Sequence, residues 1–258
     1  MALYMQKSST VTANLPVSEA ERAARLQLAG CYRVFAQIGW AETIFNHITL
    51  RVPGPDRVFL INPFGLHYRE VTASNLVAVD IDGNPVRTTQ YPINRAGFVI
   101  HSAIHRARED VGCVIHTHSP AGMAISALKC GLLPLTQNAM FFGNLGYHDY
   151  EGPAVDLDEQ QRLVRDLGDS AALILRNHGL LTAGGTVCAA FVTMHWLERA
   201  CQAQLQAMAC NTELQVPGKA VVQLTNDRYK PGQRRKITEL EWPALLRMLD
   251  RRDPSFRE

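Results

Sequence analysis

An apolar run that ends in two histidines constrains the fold of this chain more than any other segment. The run is Val111-Gly112-Cys113-Val114-Ile115-His116-Thr117-His118-Ser119-Pro120. In a β-strand, residues two apart point to the same face, so His116 and His118 present two imidazoles side by side where the strand ends. A second apolar run, Leu173-Ile174-Leu175, leads in the same way to His178. The sequence therefore predicts two buried strands whose ends carry three histidines.

These three histidines form a ligand set of the kind that binds a transition metal. Neutral imidazoles suit a borderline cation such as zinc, and three of them leave a coordination position open for water or substrate. Iron and manganese are the alternatives. The other interpretation is that a His-X-His pair arises by chance among nine histidines. Because His178 also follows an apolar, strand-like run, we predict that His116, His118 and His178 bind one metal ion, zinc in the first place.

Composition and charge exclude several classes of function. The 258 residues are 47% hydrophobic and 19% charged, which is typical of a globular domain. The net charge of +2 and the lack of a basic patch interleaved with aromatics argue against nucleic acid as a partner. The six cysteines form no CxxC pair, and no signal peptide or apolar run of about 18 residues is found. We expect a cytoplasmic protein that has no membrane contact.

The chain alternates between strand-like and helical patterns. Ser18 and Glu21 match a capping box, which predicts a helix that ends near Gly39. Further patterns predict strands at 46–52, 58–61, 76–81, 111–118 and 171–175, and helices at 98–108, 120–128, 158–167, 186–208 and 239–251, with a looser pattern over 211–236. Such alternation predicts an α/β layered fold. We divide the chain into an N-terminal arm (1–17), a main domain (18–210) and a C-terminal extension (211–258) packed on the same domain.

Two segments of the chain resemble the class II aldolase/adducin family. They are His116-Thr117-His118-Ser119-Pro120-Ala121-Gly122 and Arg176-Asn177-His178-Gly179. The segments 60–66, 130–134 and 147–152 are similar to the adducin head-domain branch, and the resemblance extends from about residue 20 to 210. It implies a three-layer α/β/α sandwich with a mainly antiparallel central sheet, and a homotetramer with active sites near subunit interfaces. It also implies that the three histidines bind zinc.

The acid–base group of the family's sugar-phosphate aldolases is missing from this chain. The glutamate that transfers the proton corresponds to Gly97 here. General acid–base catalysis supplies about 10²- to 10⁴-fold in rate, so the chain is not an unmodified sugar-phosphate aldolase. Several polar residues are open as replacements, although ordinary surface or loop hydrogen bonding is the default for each: Glu70, Tyr147, Asp149 and Glu151. For His101 and His105, four apart on one helix, the default is a satisfied position on the helix face rather than a metal site.

Most of the family's phosphate-binding residues are also replaced. Two serines correspond to Arg95 and Ala96, and a threonine corresponds to Phe64, whereas Gly65 and Asn46 match the family. An arginine can bind a carboxylate in bidentate fashion. The alternative is that Arg95 points to solvent or pairs with a structural acid. We predict a substrate site formed by Asn46, Phe64, Gly65 and Arg95.

These observations predict a metal-dependent lyase. It would break a carbon–carbon bond, by aldol cleavage or decarboxylation, in a small carboxylated hydroxy or keto compound. Decarboxylation fits the missing base, since loss of CO₂ requires no proton abstraction from the substrate. Two alternatives remain: an iron(II)-dependent oxygenase with the same three ligands, and a non-catalytic structural or interaction module like the adducin head. Apolar residues expected near the surface give weak support to a tetramer: Phe141, Phe142 and Trp196.

Overall fold

The computed structural model describes residues 16–55, 57–152, 157–229 and 231–258, with side chains except at positions 95, 96, 157, 158 and 231–239. The predicted N-terminal arm lies outside these residues apart from positions 16 and 17. The helices are α1 Glu19–Gln37, α2 Arg95–Ala107, α3 Pro120–Ser126, α4 Gln137–Met140, α5 Leu157–Leu167, α6 Val187–Ala209, α7 Lys219–Arg228 and α8 Pro231–Arg252. The strands are β1 His47–Arg51, β2 Phe59–Ile61, β3 Val77–Val79, β4 Cys113–Thr117, β5 Gly146–His148, β6 Ala172–Leu175 and β7 Gly179–Gly184.

The strands form one sheet in the order β3-β2-β1-β4-β7-β6-β5 within the described residues. All neighbours are antiparallel except β5 and β6, which run parallel. The sheet is therefore mixed and mainly antiparallel, as the resemblance implies. Strands β4 and β1, which carry the polar residues of interest, lie in the middle of the sheet.

Helices cover both faces of the sheet and make three layers. Side chains alternate along β4: Cys113 and Ile115 belong to the core shared with α1 and α6, whereas Val114 belongs to the core shared with α2 and α5. The first core also contains Trp242 of α8 and Phe256, so the C-terminal extension packs on the same core. The boundary at residue 210 stays a prediction, although α6 ends directly before it.

Several predicted element bounds are wrong. Helix α2 begins at Arg95 instead of residue 98, because the Asn94 side chain caps the helix by accepting from the Gly97 N–H at 3.3 Å. The sequence predicts no strand at β5 or β7, and it predicts a loose pattern where α7 and the start of α8 lie. Ser18 caps α1 as predicted, but the carboxylate of Glu21 binds Arg25 and Arg87 rather than reaching back.

The expectation that Phe141 lies at the surface is also wrong. Phe141 is buried, and its ring centroid lies 4.4 Å from that of Trp196 and 4.1 Å from that of Tyr229. Trp196 and Tyr229 are half-buried and pack on Phe141 within the chain, so Phe141 gives no support to an interface. Among the described residues, no helix is both long and apolar enough to cross a membrane.

A buried polar row lies between β1 and α2. The Thr49 hydroxyl oxygen is 2.8 Å from Nδ1 of His101 and 2.8 Å from Nε2 of His105. All three residues are at most 2% exposed. Burial holds the pKa of His101 well below its usual value and lowers that of His105 to about 3. The two histidines are thus neutral groups of the interior that are each hydrogen-bonded through one nitrogen, whereas Nε2 of His101 and Nδ1 of His105 have no partner among the described residues, so the default interpretation of satisfied histidines is met only in part.

We predict that the metal-free protein loses stability as the pH falls from 6.5 towards 3. The unfolded chain takes up protons near pH 6.5 while His101 and His105 stay neutral in the folded state, so the free energy of unfolding rises with pH in this window. Each group costs about 2 kcal/mol at pH 5. Urea denaturation between pH 5 and 8 measures the slope, and His105→Gln should reduce it by about one proton. An unchanged slope in this variant would contradict the prediction.

Candidate metal centre

The end of β4 places two imidazoles on the face of the sheet that α2 covers. His116 is the fourth residue of β4, and its Nδ1 donates to the carbonyl oxygen of Leu180 on β7 at 2.9 Å. His118 follows the last residue of the strand and lies on the same side. The Nε2 atoms of His116 and His118 are 2.8 Å apart. The strand-end geometry predicted from the sequence is therefore present.

The third imidazole comes from a tight hairpin. Residues 176–178 connect β6 to β7, and Asn177 adopts a left-handed backbone conformation with φ of 56°. Nε2 of His178 lies 2.9 Å from Nε2 of His118. The ligand atoms of His116, His118 and His178 all lie within 4.8 Å of one another. The structure thus brings together the three histidines that the sequence singles out.

The hydrogen bonds around the centre fix the tautomers of His116 and His118. Nδ1 of His116 faces a carbonyl, and Nδ1 of His118 contacts the carboxylate of Glu42, so in both rings Nδ1 carries the proton. The two Nε2 lone pairs then converge on one point. Such convergence is unfavourable unless a cation or a proton lies between the nitrogens, and this is the pattern by which metal sites orient histidine ligands.

The charge state of the rings also suits a metal. Burial, followed by the nearby imidazoles, lowers the pKa of His116 well below its usual value, and burial lowers that of His178 to about 4. Both rings are therefore neutral at pH 7. Nitrogens bound tetrahedrally at 2.0 Å lie about 3.3 Å apart, so small ring rotations would admit an ion. The donor set fits zinc.

Glu42 is a residue that sequence reasoning missed. It lies in the loop between α1 and β1, and its carboxylate is 43% exposed where it contacts His118. No motif or spacing marks it, because its partner is far away in the sequence. The carbonyl of Leu180 was missed for a similar reason, since a backbone group leaves no trace in the residue pattern. Both groups orient imidazoles of the candidate centre.

The predicted substrate residues lie on loops that are in contact with one another. Asn46 is buried directly before β1 with φ of 64°, and the ring of its neighbour Phe45 lies 6.3 Å from that of Phe64. The Phe64 N–H donates to the carbonyl of Pro92 at 2.9 Å, which ties this turn to the segment before α2. Gly65 has φ of 102°, which favours glycine.

Arg95 is the first residue of α2, and its side chain lies outside the described residues, as does that of Ala96. The backbone of position 95 therefore belongs to the amino end of the helix, close to the loops that carry Phe64 and Asn46.

Gly97 lies against His47, which is another residue that sequence reasoning missed. A Cβ atom added at Gly97 would lie 2.5 to 2.6 Å from three atoms of the His47 ring. Burial, followed by the imidazoles of His118 and His178, lowers the pKa of His47 to about 3. The place of the family's acid–base carboxylate is thus next to a buried neutral imidazole.

The four polar residues open as replacement proton donors make local contacts. Glu70 caps a short turn, the Tyr147 hydroxyl accepts from the Leu132 N–H, Asp149 is 3.4 Å from Arg176, and Glu151 pairs with Arg162. These contacts match the default interpretation for each residue.

Comparison with known proteins shows the family. Residues 26–205 match the model of the class II aldolase and adducin N-terminal domain. A solved aldolase II superfamily protein from Pseudomonas syringae is 48% identical, with a TM-score of 0.88 over 94% of this chain and 98% of that one. The L-fuculose 1-phosphate aldolase of Glaciozyma antarctica is 29% identical, with a TM-score of 0.82 over 98% of this chain and 97% of that one.

The adducin branch is similar as well. Alpha-adducin of Rattus norvegicus is 42% identical over 92% of this chain, but the match covers only 34% of alpha-adducin. The chain belongs to the class II aldolase and adducin family.

Proposed function

We propose that the protein is a metal-dependent lyase that breaks a carbon–carbon bond in a small carboxylated hydroxy or keto compound. The observation that carries this proposal is the convergence of three imidazoles, of which His116 and His118 have tautomers fixed by Leu180 and Glu42. The L-fuculose 1-phosphate aldolase among the structural relatives supports a lyase. Zinc is the proposed metal, with iron and manganese as alternatives.

Each residue of the centre would have a separate role in such a reaction. A divalent cation there would polarise substrate oxygens and stabilise the negative charge left when the bond breaks. The three imidazoles would hold the cation, and Glu42 would keep the ring of His118 in place. Gly97 supplies no proton acceptor. Decarboxylation is therefore favoured over aldol cleavage, because the bonding electron pair stays on the substrate when CO₂ leaves and no base has to act first.

We predict that the protein, purified without added metal, contains about one divalent cation per chain. His116→Ala should abolish binding, and Glu42→Ala should weaken it by about 10- to 100-fold because it removes the group that orients His118. Elemental analysis and chelator competition measure both effects. His67→Ala, in a residue that caps the short turn 68–70, is the matched control and should bind metal normally. Equal metal content in His116→Ala would contradict the site.

We propose carboxylate specificity because of the residues that replace the family's phosphate-binding residues. Arg95, at the amino end of α2, would supply a planar fork for one carboxylate, and Phe64 an apolar wall. A phosphate carries close to two charges and needs several donors, and the serines and threonine that would provide them are absent.

We predict that keto or hydroxy acids raise the melting temperature of the metal-loaded protein more than sugar phosphates do at equal concentration, since ligands that bind only the folded state stabilise it. Arg95→Ala should erase this difference. Arg57→Ala removes an exposed arginine and should leave it unchanged. A larger shift with fuculose- or rhamnulose-type phosphates would refute the specificity.

Two other functions are tested by the same metal analysis. Stoichiometric iron would favour the oxygenase, since imidazoles also suit that metal. Protein that neither contains nor takes up metal would favour a non-catalytic module, a candidate that the 42% identity to alpha-adducin supports.

We also propose a homotetramer in the cytoplasm, where cysteine thiols would stay reduced. The tetramer is proposed from family membership, because Phe141 is buried within the chain against Trp196. Light scattering at micromolar concentration should give four times the chain mass of 28.6 kDa. A monomer mass would refute it.

A further inference from the structure

His47 is a buried polar side chain beside the three-histidine centre for which the proposed function gives no role. It begins β1, and its Cα lies opposite that of His116 in the β1–β4 pair. The ring centroids of His47 and His116 are 5.3 Å apart, and His47 is 4% exposed. Neither of its ring nitrogens has a hydrogen-bond partner in the described part of the chain. Buried polar groups are nearly always paired, and the protein offers these nitrogens no more than the nearby backbone of Gly97, so they are open to a partner that is not a protein atom.

Position 97 shows which space the ring fills. A Cβ atom at Gly97 would lie within 2.6 Å of the His47 ring. The ring therefore occupies the space that a side chain at position 97 would need. On its other side the ring packs on His101, with centroids 4.3 Å apart. His47 is therefore held between His101 and the metal centre, in the place that a carboxylate at position 97 would take.

We propose that His47 replaces this carboxylate as the polar group of the centre and donates a hydrogen bond to an oxygen of the ligand bound there. The proposal rests on the proposed function. A carboxylate at this place only accepts hydrogen bonds, whereas a neutral imidazole offers one N–H donor and one acceptor. A donor stabilises negative charge that develops on a substrate oxygen. A keto acid develops such a charge on its carbonyl oxygen when it loses CO₂. A hydrogen-bond donor at His47 therefore favours this substrate class.

The test uses the full-length protein loaded with cobalt(II), whose visible spectrum reports on the ligands of the metal. Oxalate is the probe, since it resembles the enolate that forms when a keto acid loses CO₂. His47→Phe keeps a ring but removes the donor, and it should bind cobalt within about threefold of wild type because the three ligands remain. It should bind oxalate about tenfold more weakly, the usual effect of one lost hydrogen bond. His47→Gln keeps an N–H donor and should retain most of the oxalate affinity of the wild type. This variant still tests the proposal if His47→Phe fails to fold.

A second measurement tests the spatial relation without any ligand. Gly97→Ala should lower the melting temperature of the wild type, because the new Cβ meets the ring. In the His47→Ala background the same change should raise it, since alanine favours a helix more than glycine does.

Each outcome decides the proposal. Unchanged oxalate affinity in His47→Phe, no response of the wild-type spectrum to oxalate, or equal effects of Gly97→Ala in both backgrounds would overturn the role of His47 alone. Loss of cobalt in both His47 variants would also overturn it, because His47 would then be a metal ligand. A wild-type protein that takes up no cobalt would overturn the metal centre itself and this role with it.

Discussion

The antiparallel pairing of β4 with β7 is the interaction on which the metal centre depends. It sets His116 opposite Leu181 and Thr117 opposite Leu180, so the hairpin that carries His178 ends beside the strand that carries His116. The backbones approach so closely that a Cβ at Gly179 would lie 2.3 Å from the Thr117 carbonyl oxygen, which explains the glycine directly after His178. A register shift of one residue would turn the strand's side chains to opposite faces and separate the ligands.

The two faces of the sheet differ in polarity. On β1, Ile48 and Leu50 point into the large apolar core, whereas His47 and Thr49 point towards α2. Polar groups under a helix cost free energy unless they are hydrogen-bonded. Thr49 satisfies one nitrogen of each histidine on α2, while His47 stays unpaired. Helix α2 therefore contributes both to the stability of this layer and to the candidate site. Burial of the apolar face of the sheet offsets the free-energy cost of the buried polar groups.

The sequence predicted the features that depend on local pattern. The strand-end histidines, the layered α/β fold and most helices follow from periodicity of two or three to four residues. Contacts between distant segments were missed, such as Glu42 with His118 and His47 with Gly97. Strand β7 was missed because Thr182 is its only β-branched residue and it has no aromatic residue, and its pairing with β4 decides its conformation. The start of α2 was missed because an asparagine cap outweighed the weak helix propensity of Gly97.

Position 97 links the packing of this family member to its chemistry. The space beside the metal centre holds either a side chain on residue 97 or the ring of His47, because a Cβ would already overlap the ring. Loss of the carboxylate is thus accompanied by a different polar group in the same place. The family's fold and its three histidines can remain while this position changes, and fold alone does not determine function. Beyond the three histidines, the proposed function therefore depends on Glu42, His47 and Gly97.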